Sequence, residues 1–425
     1  MGFSADLLVP KWFEKDPRKS IQDDVEGLIE SARLAARAAT SQSYETVFEL
    51  WWRTYQQRVH GQSVDSPDRL LRGFGVALVE RAVMDAVCRL ADMSFFDALK
   101  ADLFQVEPHL VYPELDGWSL AQSLPTAPLE HIALRHTIGL LDPLRDADIE
   151  EVDRVDDGLP QSFEDDVRVN GLKWFKLKLS GDSNVDIPRT LAFGEVLSEN
   201  VGQAARFTVD GNEQFSDASG LLSFFQQLDN EPGGRALLEG LLYIEQPLPR
   251  AISLVDEAAP ILAALKEIAP VILDEADHGV EALPRALDLG YGGVSVKNCK
   301  GVLRAMLHRG LCEQRGAFQS GEDLTNMGVL ALQQDLATMS ALGLGHVERN
   351  GHHYFRGLDH LSKKEAASAA EHHPDLWKGT VDGHFMKIVG GNLDISSLQS
   401  KGYGYASKID WEARTPLERW TFTEH

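Results

Sequence analysis

From residue 174 onward, short apolar runs recur, and each ends abruptly in ionisable or polar residues. They are WFKLKLSGD, FTVDGNEQ, LLYIEQPL, PVILDEADH, GGVSVKNCK, GAFQSGED and GLGHVERN. Marker residues at their ends are Lys178, Asp210, Glu245, Asp274, Lys297, Glu322 and His346, spaced 32, 35, 29, 23, 25 and 24 positions apart. That spacing suits one strand–helix unit. Segments of helical spacing fall between the runs, at 188–200, 219–229, 254–269, 279–289, 302–311 and 324–341. An earlier run, IALRHTIG at 132–139, supplies a first strand, and a helix at 163–170 precedes the second. Alternating strands and helices predict an α/β fold, a (β/α)8-type TIM-like barrel with its chemistry at the C-terminal strand ends.

The chain before residue 131 reads differently. Residues 1–20 hold Pro10 and Pro17 and read as irregular. Ser20 is an N-cap for a helix over 21–39, and a second helix covers 44–59. Ser66-Pro67-Asp68 opens a third, with Pro at its first position and a stripe of Val76, Val79, Val83, Ala86, Val87 and Leu90. Residues 101–130 are punctuated by proline, and the domain boundary is placed there. After Pro374 short β-type runs and many glycines mark a tail that leaves the barrel. The division expected is 1–130 joined by 375–425, and a barrel over 131–374.

Composition narrows the setting. A chain of 425 residues suggests two domains. Net charge of −24 argues against nucleic acid and anionic membrane as partners, and requires local positive charge for any anionic substrate. No apolar run spans a membrane and no export signal is visible. Cys88, Cys299 and Cys312 are distant and odd in number, as for reduced thiols in the cytoplasm.

Taken singly, Asp210 is a turn residue before Gly211, Glu245 a salt-bridge partner and Asp274 a helix cap. Their recurrence at successive strand ends makes them a candidate triad for Mg²⁺, with Mn²⁺ as a substitute. Asp274 and Glu275 are neighbours, so on a strand only one faces inward, and periodicity leaves open which. Lys176 and Lys178 leave one face of their strand. Lys297 lies four strands further round, across the mouth from Lys178. A nearby ammonium and a metal ion lower a lysine's pKa, and so ready it as a base. Glu322 and Asp323 either orient Lys297, contact substrate or begin a helix. His346, His352, His353 and His360 match no zinc spacing, and His346 is expected at a strand end in the pocket. There is no phosphate-binding P-loop, dinucleotide fingerprint or nucleophile elbow.

KLK at 176–178, DGN at 210–212, IEQP at 244–247, DE at 274–275 and VKNCKG at 296–301 together resemble the enolase superfamily. More narrowly, they resemble its mandelate racemase/muconate-lactonizing-enzyme-like branch, over about residues 70–410. The resemblance implies an α+β N-terminal capping domain and Asp210, Glu245 and Asp274 as Mg²⁺ ligands. It implies Lys178 and Lys297 as acid/base lysines, with Lys176 in support. Asn212, Glu275, Glu322, Asp323 and His346 are the candidate supporting or substrate-binding residues. The implied reaction removes the proton α to a small carboxylate and forms an enediolate. Racemisation or epimerisation leads. Dehydration of an acid sugar or hydroxy acid, or cycloisomerisation, uses the same pair. A Schiff-base aldolase and a non-catalytic metal-binding scaffold are the other classes. A homo-oligomer is expected by the same resemblance. Ala276 stands where many relatives carry serine, Val302 replaces a second glycine, and no strand meander is visible before Ser20.

Overall fold

The computed structural model describes residues 1–423 apart from 62, 64, 65, 156, 217 and 324. Eight strands alternate with helices: β1 (His131–Ile138), β2 (Trp174–Lys178), β3 (Arg206–Asp210), β4 (Leu241–Glu245), β5 (Val271–Leu273), β6 (Gly293–Val296), β7 (Phe318–Gly321) and β8 (His346–Arg349). Each pairs in parallel with the next, and β1 pairs with β8 to close the ring. The predicted (β/α)8 barrel is therefore complete. Closure places the ends of β2 and β6 on opposite sides of one mouth.

The barrel interior is polar. Residues two apart share a face, so Arg135 and Thr137 of β1, Lys176 and Lys178 of β2, Tyr243 and Glu245 of β4, and His346 and Glu348 of β8 form inward sets. Arg135 is fully buried and holds the lower layer together. It donates to Ser320 Oγ at 3.0 Å and Glu322 Oε1 at 2.7 Å, and lies over the Tyr243 ring at 5.4 Å. Apolar packing lies outside the ring, where Phe163, Phe175, Phe193 and Phe207 stack edge to face between strands and helices.

Helices α1 (Ile21–Thr40), α2 (Val47–Tyr55) and α3 (Arg69–Leu90) form the N-terminal unit. Ser20 and Asp23 make the reciprocal cap of α1 that the sequence announces. Asp68, not Pro67, precedes the first residue of α3, so the proline lies outside that helix. Of the stripe along α3, Val76 is buried, Val79, Val83, Ala86 and Val87 are half-buried, and Leu90 is 81 % exposed. The buried face instead includes Phe74, Glu80, Arg81, Met84 and Asp85. Those charges bind other segments: Arg81 pairs with Asp6, Glu80 accepts from the Val302 N–H, and Asp85 accepts from Tyr405 Oη at 2.8 Å. Helices α1 and α3 approach at Gly75, where a Cβ would lie 2.2 Å from Ser31 O.

Among the described residues, 1–130 contain no strand, and the extra strands come from the tail: β9 (Trp377–Thr380), β10 (Gly383–Met386), β11 (Ile388–Val389) and β12 (Asn392–Asp394). β9 and β10 form a hairpin. β12 pairs antiparallel with 131–133, below the point where β2 joins β1 at Arg135. The segment beyond turns to the helices, where Tyr403 stacks on Phe95 with ring centres 3.9 Å apart. The helix expected over 254–269 is shortened to Ala258–Lys266, since Pro260 is accommodated best in a first turn, and a separate helical turn, Arg250–Ser253, precedes it. The last long helix runs Leu330–Leu342, and its expected start, Leu324, lies outside the described residues.

Candidate active site

Residues 1–19 have no helix or strand, yet they are tied across the C-terminal mouth. The Leu7 N–H donates to Asn326 Oδ1 at 2.9 Å, and Arg250 donates to the carbonyls of Trp12 and Phe13 at 2.9 and 3.0 Å. Lys15 Nζ reaches Glu213 Oε1 at 2.7 Å. The Trp12 ring then lies 5.0 Å from Lys297 Nζ. This arm is a wall of the site that sequence reading left as irregular chain.

Beneath it, charged groups from seven strands or the residues just beyond them converge. Lys176 Nζ lies 2.9 Å from Asp210 Oδ2, 2.7 Å from Glu245 Oε2, 3.1 Å from Glu322 Oε2 and 3.0 Å from Glu348 Oε2. Lys178 Nζ donates to Asp210 Oδ2 at 2.5 Å. Lys297 Nζ donates to Asp274 Oδ2 at 2.8 Å and lies 3.4 Å from Glu322 Oε2. Ser295 and Lys300 hold the other Asp274 oxygen at 2.5 and 3.4 Å. Gln246 fixes the turn after β5 by accepting the N–H groups of Asp274 and Ala276 at 2.9 and 3.1 Å.

These contacts set the protonation states. Burial pulls Lys176 down, but its four carboxylates overcome this and hold it well above the usual lysine range. Burial is likewise outweighed at Lys297, where Asp274 and Glu322 keep it protonated. Asp274 and Glu348 are held below the usual carboxylate range against burial, Asp274 by Lys297 and Lys300, Glu348 by Lys176 and Lys178. Glu245 goes the other way: burial, Asp210 and Glu322 push it well above.

The expected residues are thus brought together, with three adjustments. Glu275 does not turn to solvent. β5 ends at Leu273, so strand alternation no longer governs the next residues, and Glu275 is buried and accepts from Asn212 Nδ2 at 3.0 Å. Burial and Asp274 push it up to about 7. Asp323 pairs with Arg349, and burial pushes it up to about 6. His346 begins β8 instead of ending it, because Gly343 and Gly345 place the turn just before it. It lies low in the barrel, stacked on Trp174 at 4.5 Å with Nδ1 2.8 Å from Arg135. The mouth residue of β8 is Glu348, whose Oε1 accepts from Thr137 at 2.6 Å. The two-residue period from His346 pointed to it.

The donor set fits a divalent cation. Glu245, Asp274 and Glu322 each offer an oxygen within 4.8 Å of the others. Glu245 Oε1 is buried with no hydrogen-bond partner. The carboxylates Asp210, Glu245, Asp274, Glu322 and Glu348 face the cationic groups Lys176, Lys178, Lys297, Lys300 and Arg135. A buried carboxylate oxygen without a partner is costly unless a cation joins it.

No family model and no curated sequence matches the chain. Solved structures do match in fold. One is a mandelate racemase/muconate lactonizing family protein from Azoarcus sp., with TM-score 0.59 and 16 % identity, covering 95 % of this chain and 85 % of that one. Another is a dipeptide epimerase from Enterococcus faecalis, with TM-score 0.57 and 13 % identity, covering 89 % and 85 %. A third is an enolase from Mycobacterium smegmatis complexed with tartrate, with TM-score 0.58 and 15 % identity, covering 91 % and 77 %. The chain shares its overall fold with these solved structures, several of them described as mandelate racemase/muconate lactonizing proteins.

Proposed function

We propose that this chain is a divalent-metal-dependent enzyme that removes and returns the proton α to the carboxylate of a small substrate, acting as a racemase or epimerase. One observation carries this reading: Lys178 and Lys297 stand on opposite sides of the mouth, with Glu245 and Asp274 on strands between them. Such a pair permits proton removal from one face of a carbon and return to the other. Glu245 and Asp274, with Asp210 or Glu322, would hold the ion, which fits Mg²⁺ or Mn²⁺ as an all-oxygen set. When bound, the ion supplies Lewis-acid stabilisation of charge developing on the substrate carboxylate.

Within the chain, Lys176 stays protonated and adds a fixed positive charge beside the carboxylates. Lys178, tied among the described residues to Asp210, is the side chain assigned to proton removal. Lys297, kept protonated by Asp274 and Glu322, is assigned to proton donation from the other face. Trp12 and the arm exclude water above it. The protonated Lys297 also favours a second reading, in which it donates to a leaving group, giving a dehydratase; cycloisomerisation uses the same pair. The dipeptide epimerase and tartrate-bound neighbours support small carboxylates as the substrate class. The N-terminal unit 1–130 with the tail 375–425 is assigned as the cap, and 131–374 as the barrel. The three buried free thiols accord with a cytoplasmic location. No described helix is long and apolar enough to cross a membrane. A homo-oligomer remains part of the proposal.

Proton NMR in D₂O with Mg²⁺ tests the reading, using pooled dipeptides, N-acylamino acids, hydroxy acids and acid sugars. The expected result is Mg²⁺-dependent loss of an α-proton signal, absent in Lys178→Ala and Lys297→Ala. Both configurations appearing establishes racemisation, and olefinic or keto signals establish elimination. A wild-type protein that binds no Mg²⁺ refutes the mechanism.

A further inference from the structure

Three histidines outside the barrel interior converge although they are far apart in sequence. His136 lies in β1 beside inward-facing Thr137, so it points outward. In register with it across the β1–β8 pair is Arg349, and the chain then turns through Asn350 into a short helix, Gly351–Tyr354, carrying His352 and His353. Closing the barrel therefore stacks all three imidazoles. His136 Nδ1 lies 2.8 Å from His352 Nε2, and one nitrogen from each ring lies within 4.8 Å of the others.

We propose that His136, His352 and His353 form a second metal site, for a zinc ion, separate from the carboxylate site in the mouth. The state of the ring nitrogens supports this. His352 Nδ1 and both nitrogens of His353 are buried without a hydrogen bond. The His352 side chain is only 2 % exposed. The buried imidazoles of His308 and His373 do have partners, His308 in Tyr112 and His373 in Ser397 and the Ala406 N–H, while His278 Nδ1 has none. Buried polar groups without partners are rare, and a metal ion is one thing that completes them.

The surroundings match a nitrogen-ligated cation. Asp166 Oδ1 lies 3.8 Å from His352 Nε2, and Asp142 Oδ2 lies 3.7 Å from His353 Nε2. Asp142 is itself fixed by the Gly139 N–H at 2.7 Å and Tyr354 Oη at 3.1 Å. Asp166 accepts from Asn170 Nδ2 at 2.9 Å. Carboxylates behind histidine ligands orient the rings and raise their basicity. Imidazole nitrogen suits zinc, whereas Mg²⁺ takes oxygen, so the two sites select different ions. A cleft lined by Asp166, Asn170, His352, Trp377 and Met386 leads to the cluster. An ion there would clamp β1, the turn after β8 and the helix Phe163–Asn170, where the ring of strands closes. Residue spacing could not reveal such a site, because the first histidine precedes the other two by more than 200 positions.

The test uses the full chain, stripped with a chelator and dialysed, then titrated with zinc alone and assayed for bound metal. One zinc per chain is expected, retained in Glu245→Gln and weakened at least 100-fold in the double variant His352→Gln/His353→Gln. Asp166→Asn is expected to weaken it by about 10- to 100-fold. Near-ultraviolet circular dichroism checks that each variant is folded. If the double variant does not fold, Co²⁺ titration of wild type decides. Intense visible bands of a nitrogen-rich tetrahedral site support the proposal, and the pale spectrum of oxygen coordination overturns it. Loss of zinc in Glu245→Gln, or equal zinc binding by wild type and a folded double variant, also overturns it.

Discussion

The Trp12 ring lies 5.0 Å from the Nζ of Lys297, joining the first segment of the chain to the end of β6. A cation over an indole face contributes about 0.5 to 2 kcal/mol, more when water is excluded. Trp12→Ala is expected to open the mouth and loosen Lys297. Steady-state kinetics on the substrate found by NMR should show KM rising about tenfold, equivalent to about 1.4 kcal/mol, with kcat changing less. Unchanged KM would remove the arm from substrate binding.

Lys176 neutralises four buried carboxylates at once. Lys176→Met leaves them facing one another, and breaking such a buried set costs about 3 to 5 kcal/mol. Urea unfolding should show a loss of that size in metal-free buffer. Added Mg²⁺ should restore more stability to this variant than to wild type.

Binding of a divalent cation to the mouth stabilises the folded state by mass action. Mg²⁺ at one hundred times its dissociation constant should add about 2.7 kcal/mol. Thermal melts with and without Mg²⁺ check this. Glu245→Gln replaces a carboxylate whose Oε1 has no hydrogen-bond partner, and should abolish the increment while raising metal-free stability.

Acidification should remove the stability that buried neutral histidines contribute, against an opposing gain from carboxyl groups held high, such as Glu275 and Asp323. Burial holds His308 and His346 down at about 3, below the ordinary imidazole value of about 6.5. The unfolded chain therefore takes up protons below pH 6.5 that the folded chain refuses. Stability from these groups is complete above that value and falls as pH drops, by about 1.4 kcal/mol per pH unit for each histidine. Denaturant titrations between pH 6.5 and about 5 should show wild type losing stability relative to His308→Gln as pH falls, with a difference in slope of one proton.

The α1–α3 crossing should tolerate no side chain at Gly75, whose Cβ would lie 2.2 Å from Ser31 O. Gly75→Ala should lower stability by about 1 to 3 kcal/mol through overpacking, despite alanine's better helix propensity. A thermal melt no lower than wild type would show that the helices can separate without cost.

The sequence by itself determined the barrel and most of its mouth. Polar residues ending apolar runs at a strand–helix period specify both the strands and the end that carries chemistry, because alternation and chain direction are local properties. Lys176, Lys178, Asp210, Glu245, Asp274, Lys297 and Glu322 were legible for that reason. Tertiary structure decided what depends on where elements begin, end and meet. His346 was misplaced because two glycines moved the start of β8, and Glu348 took its place in the mouth. Glu275 turned inward because β5 ends one residue before Asp274. Beyond Val76, the valine stripe of α3 yielded the buried face to residues that include charged groups binding the arm and the tail. The cover of Trp12 over Lys297 and the meeting of His136 with His352 and His353 arise only when distant segments pack. Such contacts depend on the closed ring and on the path of the arm, and residue spacing carries no record of them.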